Sequence, residues 1–379
     1  MTIIKLKKIA ALSLALVLLL AGCQAADTSW AFEWEGERMP AGVYILYINQ
    51  ALVSATNQMH QEWLNWQGPE EDRPPSLWDL TSSEILDLQV DGIRLYDWVI
   101  HEGQRLARHH FAVQALLSEF EIELDPVEMA AITAAAQRDY QAQEAHLRGL
   151  GVAESSMVGS YRARTAQFSL FFGLYGEGGA FEVPEAEVRN YFDQNFVRGQ
   201  ELIIWLEEVW EDNYDDETAL AEARQVADQE NARLRALAGD FLARMRDGEA
   251  IEVLQYELDR ELRGPDANVT QSVPGELDVL LPQVLEGQHS FLDEILVDSL
   301  IATPVGQSGQ FENDGFILLV RRMDIFANPN DLEERRERII HSLSWETDFL
   351  ALLDERAGRL PVLVNQAAID RYGPGGMLD

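Results

Sequence analysis

"GQFENDGFILLVRRMDIF", residues 309–326, decides how the chain is to be read. Asn313-Asp314-Gly315 is a turn signal, because Asn, Asp and Gly tolerate the left-handed backbone that tight hairpins require. Apolar runs flank it, so the stretch reads as a strand pair. Upstream, "ELIIWLEEVW" (201–210) is also β-like, rich in Ile and Trp. An acidic loop follows it, from Glu211 to Glu217. Asp216 to Asp247 then shows a helical stripe of Leu220, Ala223, Ala227, Leu234, Leu237, Phe241 and Met245. "FLDEILVDSLIATPVGQ" (291–307) reads as a helix stopped by Pro304, which cannot continue an intrahelical ladder. Sheet signals are thus confined to one stretch, interleaved with helices.

Outside that stretch the spacing is helical. Ala41 to Trp66 repeats apolar residues at three- and four-residue steps, and "GPEEDRPPS" (68–76) breaks the pattern as a loop. Residues 81–124 read as one or two long helices, with a capping box at Thr81 to Glu84 and one face marked by Leu95, Val99, Leu106, His110 and Val113. Residues 124–151 form another helix, with Asp125 as N-cap and Pro126 at its first position. Helices over 152–179 and 183–196 follow, and 331–358 is helical again, with Ile339, Leu343 and Leu353 facing inward. The order is helical region, small α+β unit, helix. The expected class is α+β, mostly helical.

The chain begins with a positive segment (Lys5, Lys7, Lys8), an apolar run from Ile9 to Leu20, and Leu20-Ala21-Gly22-Cys23. This is the pattern of a secretory signal peptide, too short for a comfortable membrane span. Cys23 is the single cysteine of the chain. Beyond the leader there is no lysine, and 26 arginines face 65 acidic residues, a formal charge of −39. Such a surface repels nucleic acid and anionic lipid. With no cysteine left to pair, stability outside the cell must come from packing.

The end of the leader resembles a bacterial lipobox, which implies that Cys23 is lipidated and that the protein is held on the outer face of the cell membrane. The segment order, with five local runs, resembles the SurA/PrsA-type lipoprotein foldases of Gram-positive bacteria. The runs are "FEIELDPVEMAAI", "VPEAEVRNYFDQNF", "FLARMRDGEAIEVLQYEL", "ILVDSLIATPVGQ" with "GFILLVRRMD", and "NQAAIDRYGP", together spanning most of 85–373. The resemblance implies a signal peptide (1–22), a lipidated tether (23–30) and a helical chaperone-like lobe (31–198). It also implies an inserted parvulin-like domain (199–328) and a closing helix and tail (329–379).

That family centres prolyl isomerisation on two histidines, one on the first strand and one on the last. The resemblance puts Glu201 and Ile317 at those positions. His289, the one histidine of the insert, reads as a surface residue. The expectation is therefore a degenerate parvulin unit without isomerase activity and without a cofactor. The partners expected are unfolded or partly folded secreted polypeptides, with no nucleic acid. An active isomerase and a non-catalytic envelope binding lipoprotein are the alternatives.

Three other constellations bear on function. His101, Glu102, His109 and His110 lack the i, i+4 histidine pairing of a helical metal site, so no metal is expected there. The acidic run 207–217 lacks the spacing and glycine of a calcium loop. Trp30, Phe32, Trp34, Trp63, Trp66, Trp78 and Trp98 crowd the first hundred residues. They suit a core, or an apolar cradle for unfolded segments.

Overall fold

A computed structural model describes residues 29–69, 73–213, 216–264, 272–273, 275, 277–283 and 290–377. Cys23 and His289 lie outside the described residues. The fold is α+β and mostly helical, as expected. It divides into two units, one from Met1–Glu182 with His341–Asp379 and one from Val183–Ile340.

The first unit opens with a hairpin, β1 (Trp30–Trp34) and β2 (Glu37–Pro40). Its two-residue turn, Glu35-Gly36, has both residues at positive φ (51° and 87°), matching the right-handed twist of the strands. α1 (Ala41–Leu64) follows directly, with Ala41 N–H donating to the Ser29 carbonyl at 2.8 Å. α2 (Ser82–Asp87) begins with the capping box expected at Thr81 and Glu84. The stretch 81–124, read as one or two long helices, holds a short helix and a long one with a hairpin between them. β3 (Gln89–Val90) and β4 (Ile93–Arg94) make a small hairpin around Asp91-Gly92, again with both turn residues at positive φ (53° and 77°). α3 (Leu95–Glu119) then packs along α1, with Leu95, Val99, Ala107 and Phe111 in a core shared with Tyr44, Ile48 and Leu52. α4 (Pro126–Ala142) starts at its Asp125 cap, and α5 (Glu144–Gly149) and α6 (Glu154–Tyr175) complete this part.

The second unit starts with α7 (Glu185–Asn195) and runs straight into β5 (Phe196–Trp205). α8 (Glu217–Arg246) and α9 (Ile251–Arg263) follow, then β6 (Asp278–Pro282) and α10 (Phe291–Ala302), whose capping box is Ser290 and Asp293. The expected hairpin is β7 (Ser308–Glu312) and β8 (Phe316–Arg322). Asn313 Oδ1 accepts from the N–H groups of Gly315 and Phe316, both at 3.0 Å, which closes the turn. The sheet is antiparallel, in the order β6-β5-β8-β7. One face carries Leu202, Ile204, Ile317 and Leu319 against α8 and α9. The other carries Val197, Phe316, Leu318 and Val320 against α10. A side chain at Gly199 would meet Leu300 of α10 and the Arg321 carbonyl (2.8 Å), so glycine is what allows this helix so close to the sheet.

α11 (Pro329–Ser344) continues through a wide turn (Trp345–Phe349) into α12 (Leu350–Arg359). The division between units falls inside α11. It also precedes α7, whereas the expected insert spanned 199–328. Aromatic packing and an ion pair explain the shift. Phe192 lies 5.2 Å from Phe196 and 5.7 Å from Phe326, and Arg336 pairs with Glu185 at 2.7 Å. The wide turn adds a residue to the helical repeat. It lets Trp345 and Phe349 both pack on Phe171, at 5.1 and 5.2 Å. β9 (Leu363–Val364) pairs with β1 to give a three-stranded sheet, and α13 (Gln366–Arg371) follows it. Asn365 donates to the Trp30 carbonyl at 2.7 Å and to the Ala31 carbonyl at 2.9 Å. The tail thus completes the first unit's sheet. Among the described residues no helix is long and apolar enough to cross a membrane.

Candidate functional site

β5 and β8 place Glu201 and Ile317 on opposite faces of their sheet. Partners directly opposite in an antiparallel pair share a face, and a one-residue step changes face. Glu201 faces with Val320, Ile203 with Leu318 and Trp205 with Phe316, all toward α10. Ile317 pairs with Ile204 and is fully buried against α8 and α9. The two residues do not line one cavity. The residues that share the α10 face with Glu201 on β8 are Phe316, Leu318 and Val320, all apolar. Glu201 is half-buried there. Burial, with a further contribution from the Asp293 carboxylate at the start of α10, pushes its pKa above the ordinary glutamate range.

On this same face a cleft of about 390 Å³ opens between α10 and the β7–β8 hairpin. Its apolar lining is Ile295, Ala302, Phe311 and Phe316, and its polar lining is Asp298, Ser299, Glu312 and Asn313. The ring of Trp205, 56% exposed, stands edge-on to Phe316 at 5.5 Å and extends the apolar surface outward. Phe291, at the first turn of α10, is 68% exposed. The cleft's lining offers rings, the Asp298 carboxylate, the Ser299 hydroxyl and the Asn313 side-chain amide, and among the described residues no histidine lies in the unit Val183–Ile340. It is not legible in the sequence, because it depends on how α10 sits over the hairpin. Exposed Phe and Trp beside a turn were its one visible sign.

The opposite end of the sheet carries a buried cation. Arg198, with its side chain 9% exposed, pairs with Asp278 at 2.9 Å and with Asp331. Gln200 donates to the other Asp278 oxygen at 2.7 Å. Arg321 donates to the carbonyls of Met245 and Glu249, both at 2.7 Å, and closes the C-terminal end of α8. These contacts bind strand to strand and strand to helix.

In the helical unit the candidate metal residues are engaged with other partners. Glu102 binds Arg105 through both oxygens, at 2.6 and 2.7 Å. His109, buried, meets Asp354 of α12 at 2.6 Å. Burial lowers the His109 pKa, partly opposed by that carboxylate. His110 contacts the Tyr47 hydroxyl at 3.1 Å, and burial pushes its pKa down to about 4. In the acidic run, Asp216 caps α8 and Glu211 pairs with Arg224.

The early aromatic residues do not form one open cradle. Phe32 is fully buried, and Trp34 packs on Phe111 at 6.2 Å. Trp98 sits partly buried against the α1–α3 core. Trp30 lies under Arg38, and Trp63 between His60 and Arg73. The Trp66 indole donates to the Pro69 carbonyl. Trp78 is the most exposed of the set, at 84%.

No family model matches the chain, and no curated protein does. Solved structures that resemble it include the foldase protein PrsA from Streptococcus pneumoniae. That structure is 13% identical, with 75% of this chain and 97% of that chain covered and a TM-score of 0.31. The foldase protein PrsA from Lactococcus lactis is 9% identical over 91% of this chain and 99% of that one, at a TM-score of 0.34. The peptidylprolyl isomerase PrsA from Bacillus anthracis is 11% identical over 69% and 99%, at a TM-score of 0.26.

Proposed function

We propose that the protein is a lipid-anchored, extracytoplasmic foldase-type chaperone that holds unfolded segments of secreted polypeptides and does not isomerise their prolyl bonds. The observation that carries this reading is the apolar cleft on the α10 face, rimmed by exposed rings. Such a surface gives broad, adaptable contact to an extended chain. The anchor is Cys23, acylated after cleavage of residues 1–22. Two acyl chains at roughly 0.8 kcal/mol per methylene would hold it on a membrane.

The chemistry of the face argues against isomerisation. Rotation about the amide has a barrier of roughly 18–20 kcal/mol. Twisting the bond localises the nitrogen lone pair, which a hydrogen-bond donor stabilises. The polar side chain nearest the sheet's centre on this face is Glu201, which only accepts when ionised. Its cross-strand neighbours Val320, Leu318 and Phe316 offer nothing to donate.

The test is suppression of aggregation of a chemically unfolded client, followed by light scattering. The wild-type protein lowers the scattering. Ala302→Trp, a change at an exposed residue lining the cleft, fills it and removes most of the effect. Full suppression by that variant, with its circular dichroism unchanged, would show that the cleft is not where clients sit.

A further inference from the structure

The cleft's rim carries negative charge where its floor is apolar, and this narrows what it can hold. Asp298 projects from the middle of α10, exposed, and has no salt bridge among the described residues. Glu312 borders the cleft through its place in β7, but it pairs across from Ile317, so its carboxylate lies on the α8 face, held by Arg235 at 2.7 Å. Asp293 and Glu294 stand in the first turn of the same helix, and Glu201 lies on the facing strand. No lysine or arginine lines the cleft itself. The long-range field has the same sign, because beyond the leader the chain carries a formal charge of −39.

Resting on the binding role proposed above, we infer that the α10 cleft selects cationic apolar segments. These are stretches of unfolded polypeptide in which arginine or lysine flanks bulky apolar residues. The apolar side chains fill the space between Ile295 and Phe311 and the cation pairs with Asp298. Burial of apolar area supplies the affinity, and charge complementarity supplies discrimination and a faster encounter. A segment flanked by glutamate meets like charge at the same point and is rejected. This is selection by attraction and repulsion together. Asp298 is the specificity-determining residue because, unlike Glu312, it has no cation of its own.

The test uses two fluorescein-labelled peptides with one shared apolar core, flanked by arginine in one and by glutamate in the other. Fluorescence anisotropy measures their affinity for the full-length protein at low salt. The arginine peptide binds about tenfold tighter, the size of one charge-assisted contact. Asp298→Asn brings the ratio close to one without loss of fold, since the residue is exposed, and high salt does the same. Equal affinity for the two peptides, with both displaced by Ala302→Trp, would overturn the charge selection and leave the cleft as a client site. A preference that survives both Asp298→Asn and Ala302→Trp would place the selection elsewhere and overturn it too. Binding of neither peptide would overturn the inference together with the reading it rests on.

Discussion

The helical unit and the sheet unit place their internal polar ties at very different distances along the chain. In the sheet unit the main ties among the described residues run within Val183–Ile340: Arg198 to Asp278 and Asp331, Arg336 to Glu185, Arg321 to the end of α8. In the helical unit several of them join its first part to its last. His109 and Arg105 reach Asp354, Arg356 reaches Glu119 at 3.0 Å, and Asn365 reaches Trp30. The contiguous unit is tied together by residues of one unbroken stretch. The interrupted one depends on its last 39 residues, which supply a helix to its core and a strand to its sheet. An insertion is tolerated where the flanking chain can still close its loop, because closure entropy grows only slowly with loop length.

The largest effect that tests this contrast is deletion of His341–Asp379. It takes away α12, β9 and the Phe349 ring that is fully buried against Phe171. Amide hydrogen exchange should then lose protection in α1 and α3 while β5 and β8 keep theirs. Equal loss in both units would show that the sheet unit also needs the tail.

Arg198→Met is next, and falls within the sheet unit. It leaves Asp278 and Asp331 facing each other with no cation, and removing one partner of a buried pair costs roughly 3–5 kcal/mol. Urea unfolding measures it. A loss below about 1 kcal/mol, the level of an exposed pair, would mean that this node is solvated.

The smallest effect concerns pH and the helical unit. The folded-state pKa of His110 is pushed down to about 4 by burial, whereas the unfolded side chain titrates near 6.5. Above that value both states are neutral and the residue contributes no pH dependence. As pH falls below it, the unfolded chain takes up the proton and the folded one does not, so stability declines toward about pH 4. His110→Gln should flatten this part of the profile relative to wild type. The urea midpoint of each, followed from pH 7 to 4.5, checks it, and parallel profiles would place the titration elsewhere.

Much of this architecture is legible in the residues themselves. Asn313-Asp314-Gly315 fixes the β7–β8 hairpin, and Thr81, Asp125 and Asp216 mark the helix starts they cap. These are local signals, carried by a few adjacent side chains. The pairing of β1 with β9 is not local, and two-residue strands such as Leu363–Val364 are too short to show alternation. The small β3–β4 hairpin hides inside a helical pattern for the same reason, although Asp91-Gly92 announces its turn. Which face a strand residue takes is also hard to read: Glu201 and Ile317 lie on opposite faces of the sheet, and the sequence around "GFILLV" is apolar on both faces and cannot reveal it. The cleft is harder still to read, because Asp298 and Phe311 meet only through the packing of α10 over the hairpin.

The central claim is that the sheet unit binds polypeptide and leaves its prolyl bonds alone. NMR exchange spectroscopy on the arginine-flanked peptide, with one proline in its apolar core, reads both properties at once. With the wild-type protein added, the peptide resonances should broaden, and no cis–trans exchange peaks should appear within the mixing time, since the uncatalysed step takes tens of seconds or more. Exchange peaks between the cis and trans forms that need the folded protein, and that vanish in Glu201→Ala, would contradict the claim and make this face a catalyst.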